Sequence, residues 1–301
     1  MKQHEAEELL SLLPGGRTLF TYGKDRYAIS LLQMGMGRAC HEELKKTSLG
    51  RLFDKPQLKS WLGTLGKKSF TGPDLDMLWP VETETYRLTA GLFDGWTQTT
   101  RKGGRGWNIV LQLNLNGSDA EWMQRIHPVR DDDPFEPYQC IHPIHRGRHR
   151  TLAWARIDLD WDTGEALIEE IQTDRLREVK ECVDWIREKN RRVVRLAGHR
   201  VHSSVVIRYW EQRLRLSRQF WDEAILCAAI RFIVEELGIR RIWYHSPVSG
   251  ARLKNVKDAP VSLYSDLPRR FCFEKTPELP KFVRRVRRRH RPGLWMHRLC
   301  L

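Results

Sequence analysis

The chain has 301 residues, 41% of them hydrophobic and 30% charged, and its formal net charge is +14 at pH 7. These values exclude an intrinsically disordered chain and predict a soluble globular protein of one large domain or two modest ones. The first eight residues lack the apolar region of a secretory signal, which argues against one, and the most apolar run, 224–230, is too short to span a bilayer. Six cysteines without a CxxC pair favour reduced thiols, so we expect a cytoplasmic protein.

Residues 1–80 have mainly helical spacing. Residues Glu5–Leu13 carry an apolar stripe with helical spacing, and Thr18–Tyr22 has the character of a strand. The leucines within Leu44–Leu65 again have helical spacing. We predict a helical N-terminal subdomain here. The complete domain prediction is a helical subdomain over 1–80, an α/β domain over 81–280 and an arginine-rich arm over 281–301.

Two strands with a period of two follow, over Tyr86–Leu92 and Trp107–Leu115. Asn108, Gln112 and Asn114 share one face of the second strand, and that face is either wet or a hydrogen-bonding surface for a ligand. The connector 96–106 combines three glycines, three cations and three threonines, which suits either an anion-binding loop or an exposed hairpin loop. Its candidate ligand-binding residues are Gln98 and Arg101.

The connector 127–150 carries possible zinc ligands. They have a CxHxxHxxxH spacing and are Cys140, His142, His145 and His149. Interleaved arginines would crowd cations against a dication, so we predict a surface loop without a metal and keep zinc as the alternative.

The stretch 151–174 predicts a hairpin with an acidic second strand. Residues 153–161 alternate as a half-buried strand, Asp162-Thr163-Gly164 forms the turn, and the returning strand ends in Ile168–Asp174, where five of seven side chains are polar. Because unpaired buried carboxylates are costly, such a strand is typical of a site or an interface.

A buried helix and a further strand follow. Residues 220–237 carry two apolar stripes, which predicts a helix packed between layers, and Gly238 suits its C-terminal left-handed position. Ile239–His245 then predicts a short strand parallel to the acidic strand, because a helix crosses between them.

These elements, with Pro260-Val261-Ser262-Leu263-Tyr264 and Phe271-Cys272-Phe273, resemble the GCN5-related N-acetyltransferase (GNAT) layout over about 151–275. The resemblance implies an α+β fold with a mixed, mostly antiparallel sheet and packed helices. It also implies acyl transfer to an amine, with Glu169 or Glu170 as general base and Tyr264 as proton donor to the leaving thiolate.

The cofactor stays open. The resemblance implies acetyl-coenzyme A, whose pyrophosphate needs small residues at the start of the central helix. The matching stretch, Arg218–Glu223, has no glycine, two bulky aromatics and two acids. The motif Glu-Ile-Gln-Thr-Asp at 170–174 is also similar to segments of uncharacterised bacterial and polyvalent phage proteins, which imply no activity.

The candidate site lies at the strand ends of this sheet. The candidate catalytic residues are Glu169, Glu170, His245 and Tyr264, and the further candidate ligand-binding residues are Gln172, Asp174, Arg252 and Lys254. A carboxylate in an open cleft beside Tyr264 would favour an enzyme. If both carboxylates are bridged to arginine under a covering loop, the enzyme hypothesis fails.

The basic C-terminal residues support an alternative function. Residues 281–301 contain eight cations and no acid, and so hold more than half of the net charge. Such a segment binds phosphates of nucleic acid or another polyanion, or else lies on an acidic face of its own domain or on anionic lipid. The alternative to an enzyme is therefore a catalytically silent GNAT-like scaffold that binds a polyanion through this arm.

Overall fold

A computed structural model of the protein describes residues 1–12, 18–37, 39–65, 69–93, 100, 106–126, 142–144, 150–254, 260–286 and 293–301, with the backbone alone for 284–286. The strands in these ranges are β1 (Thr18–Gly23), β2 (Thr83–Phe93), β3 (Asn108–Asn114), β4 (Thr151–Asp160), β5 (Glu165–Gln172), β6 (Val193–Leu196), β7 (His199–His202), β8 (Arg241–His245), β9 (Glu274–Thr276) and β10 (Met296–Cys300).

The helices in the same ranges are α1 (Gln3–Leu12), α2 (Arg26–Met36), α3 (His41–Leu44), α4 (Pro56–Leu65), α5 (Ser118–Ile126), α6 (Asp174–Lys189), α7 (Ser203–Arg208), α8 (Arg215–Arg231), α9 (Pro247–Lys254), α10 (Leu267–Arg270) and α11 (Lys281–Val286). Short 3-10 helices cover Ser48–Asp54 and Pro73–Met77, and π-helical turns cover Tyr209–Arg213, Phe232–Glu236 and Ser262–Asp266. No helix in the described part of the chain is both long and apolar enough to cross a bilayer.

Eight of the strands form one sheet in the order β1-β2-β3-β4-β5-β8-β10-β9. Every neighbouring pair is antiparallel except β5 and β8, which run parallel and pair from Glu165↔Arg241 to Ile168↔Tyr244. The α+β class, the mostly antiparallel sheet and the parallel strand after the central helix are thus confirmed. Strands β6 and β7 form a separate antiparallel hairpin.

Helix α8 covers one face of the sheet. It packs against β3, β4 and β5 and is buried along most of its length, as its two apolar stripes predict. The backbone leaves helical geometry at Phe220 (φ −146°, ψ 20°), so the helix bends there. Past a π-helical turn, Gly238 adopts φ +68° and ends the segment, which confirms the predicted left-handed position.

The N-terminal segment belongs to the same sheet. The predicted strand at Thr18–Tyr22 is confirmed as β1, and it pairs with β2 across the predicted domain boundary at residue 80. Helix α2 packs on α8, and buried residues of both lie in one continuous core. The predicted helical subdomain over 1–80 is therefore not separate from the sheet domain, because residues 18–23 form the edge strand of that sheet.

The C-terminal residues are also part of the sheet. Strand β10 lies between β8 and β9, and its Met296 is fully buried beside Trp243 and Leu167. The prediction of an arm over 281–301 is wrong for residues 296–300, because Met296 and Leu299 bury apolar surface on opposite faces of this strand, Met296 in the smaller core cluster and Leu299 in the main core.

The second face of the sheet is covered as well. Every residue of β4 is buried, so the prediction of a half-buried strand is wrong. Gln112 donates to the backbone oxygen of Pro143 at 2.8 Å, and Asn114 accepts from Thr151 at 2.7 Å. The side chains of Gln112 and Asn114 are therefore bonded to protein groups and buried, whereas the buried Asn108 Oδ1 has no hydrogen-bond partner among the described residues.

Replacing Gly238 by Ala is expected to lower the free energy of unfolding by about 1 kcal/mol, because φ +68° is unfavourable for a side chain that would otherwise meet open space. Gly63 in α4 is the matched control, since a Cβ there also meets nothing within 4 Å but its backbone is not left-handed. Gly63→Ala should stabilise by about 0.5 kcal/mol. Urea unfolding of both variants measures the difference, and equal effects would contradict the assignment.

Candidate functional site

The site is built on a β-bulge at Glu169. Arg156 on β4 pairs with Glu170, whereas the next residue, Ile157, pairs with Ile168. Glu169 is therefore the extra residue of β5, and a bulge redirects side chains relative to regular alternation. Ile168 and Ile171 both enter the core beneath α8, and the two glutamates between them reach a common cation on the other face.

That cation is Lys254, at the C-terminal end of α9. The β5–β8 pairing stops at Ile168↔Tyr244, and the carbonyl oxygen of Glu169 accepts from the Lys254 Nζ at 2.6 Å instead of from a strand. The same ammonium lies 3.3 Å from Glu170 Oε2 and 3.9 Å from Glu169 Oε2, with its side chain fully buried. Lys254 thus closes the gap left where β8 ends.

Thr100 and His245 complete the surroundings of Glu169. Thr100 donates its backbone N–H to Glu169 Oε1 at 3.0 Å and its hydroxyl to Oε2 at 2.7 Å. The His245 Nε2 lies 2.8 Å from the Thr100 hydroxyl and 3.2 Å from Glu169 Oε2. In the connector 96–106 the structure describes Thr100 and Gly106 alone, and Thr100 binds a carboxylate of the protein itself. Binding of an external anion by this connector stays a prediction.

The hydrogen bonds assign the tautomer of His245. Because Thr100 uses its only hydroxyl proton on Glu169, the His245 Nε2 carries a proton and donates towards these two oxygens. The Nδ1 then accepts from the Ser249 hydroxyl at 3.0 Å. Ser249, His245 and Glu169 have the order of a serine–histidine–acid relay, but Ser249 is fully buried and also bonds Ser246, which marks it as a structural group of the β8–α9 turn.

Glu170 is bound on both sides. Its Oε2 accepts from the Arg156 Nη2 at 2.5 Å and from Lys254. Its side chain is 13% exposed, whereas those of Glu169, His245 and Lys254 are 0% exposed. Neither carboxylate therefore stands in an open cleft: Glu170 is bridged to Arg156 and Lys254, and Glu169 is covered by Thr100. Measured against the criterion set from the sequence, this counts against an enzyme, although Glu169 is held by Lys254 and His245 and not by an arginine.

The pKa values follow from burial and charge. Burial opposes ionisation of Glu169, but the hydrogen bond from His245 and the nearby Lys254 and Arg156 lower the pKa of its carboxyl to about 2. Burial likewise opposes ionisation of Glu170, yet Lys254 and Arg156 lower its pKa. Burial lowers the pKa of both Lys254 and His245. The two carboxylates face two basic side chains, Arg156 and Lys254, and the lowered pKa of His245 leaves its imidazole uncharged at neutral pH.

Tyr264 lies on the π-helical turn Ser262–Asp266, next to this cluster. Its ring packs edge-on against Tyr244 with centroids 6.1 Å apart, and a Cβ at Gly250 would come within 3.2 Å of it. Burial, then the charges of Glu170 and Glu169, raise the pKa of its hydroxyl, which therefore stays protonated at neutral pH. The predicted catalytic residues Glu169, Glu170, His245 and Tyr264 are therefore brought together.

The other predicted ligand-binding residues are more scattered. Asp174 begins α6 and is held by His142 at 2.8 Å, by Gln172 at 2.6 Å and by Arg177 at 2.6 Å. Asp174 and Gln172 thus belong to a separate network at the start of α6. Arg252 is exposed on α9, and Gln98 and Arg101 lie outside the described residues.

Of the predicted zinc ligands, only His142 is described; Cys140, His145 and His149 lie outside those residues. Within the described ranges no group of three metal-ligating side chains occurs.

The expected pyrophosphate turn is occupied by the protein's own acids. Just after the bend at Phe220, Asp222 accepts from Arg270 at 2.8 Å, and Glu223 also bonds Arg270. The backbone N–H of Asp25 donates to Glu223 at 2.9 Å, and burial raises the pKa of this glutamate. A pyrophosphate approaching this turn would meet two carboxylates that Arg270 already binds.

Sequence reasoning missed Arg156 and Ser249 as members of the cluster. The alternation of β4 placed Arg156 on the face taken as exposed, and only its register opposite Glu170 identifies it as a partner. Ser249 carried no signal beyond its position four residues after His245, which places both on one side of the β8–α9 turn.

Replacing Lys254 by Met is expected to lower the free energy of unfolding by about 3–5 kcal/mol, because two buried carboxylates lose their shared cation. Adding Glu170→Gln should restore part of this loss by removing one of the two charges. Lys59→Met, on an exposed position of α4, serves as the control and should change stability by less than about 0.5 kcal/mol. Urea unfolding measures all three; a neutral Lys254→Met would show that the ammonium does not hold the carboxylates.

The lowered pKa of Glu169 gives stability a defined pH dependence. Between pH 4.5, the usual pKa of a glutamate, and about pH 2, the Glu169 carboxyl binds a proton in the unfolded chain but not in the folded chain. This contribution is therefore complete above pH 4.5 and is lost as the pH falls towards 2. Glu169→Gln should flatten the dependence in this window, whereas exposed Glu274→Gln should leave it unchanged. Urea midpoints measured across the window test this, and identical curves for the native protein and Glu169→Gln would refute it.

Comparison of the chain with protein-family models, with curated proteins and with solved structures finds no match. The GNAT relationship consequently rests on the layout of residues 151–275 and stays a prediction. The same holds for the likeness of residues 170–174 to uncharacterised bacterial and phage proteins.

Proposed function

We propose that this protein is an enzyme that transfers an acyl group to an amine, with its acid–base groups in the cluster of Glu169, Glu170, His245, Lys254 and Tyr264. One observation carries the proposal. The bulge at Glu169 places two adjacent carboxylates, an ammonium and an imidazole at the carboxyl ends of parallel strands β5 and β8, where open sheets bind ligands. Buried groups with shifted pKa values beside such a position are typical of catalytic sites.

Exposure selects the proton acceptor. Glu170 is the one member of the carboxylate–histidine–lysine set with part of its side chain exposed, so it is the group an amine reaches in this arrangement. Lys254 and Arg156 keep it ionised and fix its orientation. Glu169, bound by Thr100 and His245, positions the imidazole and the ammonium and does not contact the substrate.

Two side chains then account for the two proton transfers of the reaction. The amine nitrogen attacks the acyl carbon of a thioester, its proton passes to Glu170, and the carbon–sulfur bond breaks. The Tyr264 hydroxyl, which its raised pKa keeps protonated, supplies the proton to the departing thiolate. Asp222 and Glu223 disfavour a pyrophosphate at the start of the second half of α8, so we propose an acyl donor that is not held there by a pyrophosphate.

The test begins with the donor. Mass spectrometry of the denatured purified protein identifies a copurified thioester, and a thiol-release assay over a panel of acyl donors and amines measures turnover. Glu170→Gln and Tyr264→Phe should each lower the rate by at least about 100-fold, with exposed Glu274→Gln unchanged as control. Absence of binding and turnover with every donor, or full activity in Glu170→Gln, would refute the proposal.

The pH profile distinguishes the two possible bases. With Glu170 as acceptor, activity should fall only below pH 4.5, because Lys254 and Arg156 lower the pKa of this carboxyl below that value. Burial also lowers the pKa of His245 from its usual 6.5, so the variant decides between the two bases. The rate is measured against pH on protein shown to remain folded, and an acid limb that persists in Glu170→Gln would assign the acceptor role to His245.

A second candidate function is a catalytically silent scaffold that binds nucleic acid through the basic C-terminal residues. The observation in its favour is the bridging of Glu170 to Arg156 and the burial of Glu169 beneath Thr100, an arrangement that also serves stability alone. Of the eight cations in 281–301, Arg298 binds Glu278 at 2.6 Å, so the cations that would contact phosphate precede β10. Under this candidate, Glu169→Gln and Glu170→Gln change only stability.

A further inference from the structure

A second basic surface lies far from the C-terminal residues in sequence. Between α6 and α7 the chain forms the β6–β7 hairpin, and residues 191–202 contain four arginines, two histidines and no acid. The arginines are Arg191, Arg192, Arg195 and Arg200, and all four are exposed.

The hairpin is held in a single arrangement. Its turn residues Ala197 and Gly198 have φ +50° and +81°, the pattern of a tight two-residue hairpin turn. The Ala197 backbone N–H donates to Glu178 on α6 at 2.8 Å. This hydrogen bond holds Ala197 in the left-handed conformation, which alanine does not favour. Val194, Leu196 and Val201 are buried on the inner face. The outer face is therefore preformed.

That outer face juxtaposes like charges. Arg195 lies directly opposite Arg200 in the register of the two strands, and Val193 lies opposite His202. Like charges at directly opposed positions destabilise a strand pair, so the hairpin forms despite this pair. An external anion that bridges the two guanidinium groups would remove the repulsion.

Nearby acids are already bound elsewhere. Asp184 pairs with Lys180, Glu188 with Lys189, and Glu211 with Arg187. Within the described ranges, no carboxylate lies at ion-pair distance from the guanidinium groups of residues 191, 192, 195 and 200. Their charge is directed to solvent.

We propose that the outer face of the β6–β7 hairpin binds the phosphate backbone of a nucleic acid duplex. A duplex presents one negative charge per roughly 1.7 Å of its axis, and its major groove admits a two-stranded ribbon. Trp185 on α6 is 43% exposed beside the hairpin and is contacted by Arg191 at 5.2 Å, which adds an aromatic surface for contact with sugars or bases. This binding does not depend on the proposed acyl transfer.

The test is fluorescence anisotropy of the full chain with a labelled DNA duplex of about 20 bp over about 50–200 mM salt. Arg195→Gln with Arg200→Gln should weaken binding by on the order of tenfold or more near 0.1 M salt and reduce the log–log salt slope by about 2. The matched control is Lys46→Gln with Lys59→Gln, which removes the same charge from exposed positions of the N-terminal part. Urea unfolding verifies that both double variants are folded.

Each outcome bears on the proposal. Equal loss in the control pair, no binding of the duplex by the native protein, or arginine-dependent binding of phosphatidylserine vesicles without binding of DNA would overturn it. Tighter binding of a single strand than of the duplex would also overturn it. Replacing Arg287 and Arg288 by Gln tests the basic C-terminal residues separately, and acyl transfer retained by the hairpin variant would separate this surface from the proposed active site.

Discussion

The structure depends on one buried cation, Lys254, at the point where two parallel strands part. Strand β8 ends at His245 while β5 continues, and that difference in length leaves the Glu169 carbonyl and two carboxylates on an inner face of the protein. The ammonium donates to the Glu169 carbonyl oxygen and forms ion pairs with the carboxylates of Glu170 and, at a longer distance, Glu169. Arg156 also binds the Glu170 carboxylate. Without this compensation, the acidic strand could not be buried at the centre of an eight-stranded sheet.

Periodicity and turn signals predicted the parts of the fold in which one physical effect dominates. The central helix and its glycine terminus follow from two apolar stripes and a required left-handed backbone. Strand β3 follows from its period of two, β5 from the Asp162-Thr163-Gly164 turn, and β8 from a short apolar run after Gly238. The burial of both faces of β4 could not be predicted, because its polar residues were read as exposed when they are in fact bonded to protein groups. The few apolar residues near the C-terminus, such as Leu294 and Met296, show no regular alternation from which a strand at β10 could be predicted.

The candidate site was predictable in its members more than in its geometry. The resemblance to the GNAT layout pointed to Glu169, Glu170 and Tyr264, and the position at a strand end pointed to His245. Glu169 and His245 are in contact, and the charges of both glutamates act on Tyr264. What sequence could not supply was the register. The pairing of Arg156 with Glu170, and the closure of Glu169 by Thr100, depend on contacts between residues far apart in the chain. The same limitation concealed the β6–β7 hairpin, whose arginines are informative only once their opposition across two strands is known.

The bulge at Glu169 also has an evolutionary consequence. If this one residue were removed, Ile168, Glu170, Ile171 and Gln172 would alternate between the two faces as in a regular strand, with every remaining side chain on its present face. Gain or loss of the second carboxylate therefore requires the insertion or deletion of a single codon and leaves the packing beneath α8 intact. A paired-acid centre and a plain structural strand are thus separated by one event, and chains of this architecture with and without the extra glutamate would share the same core.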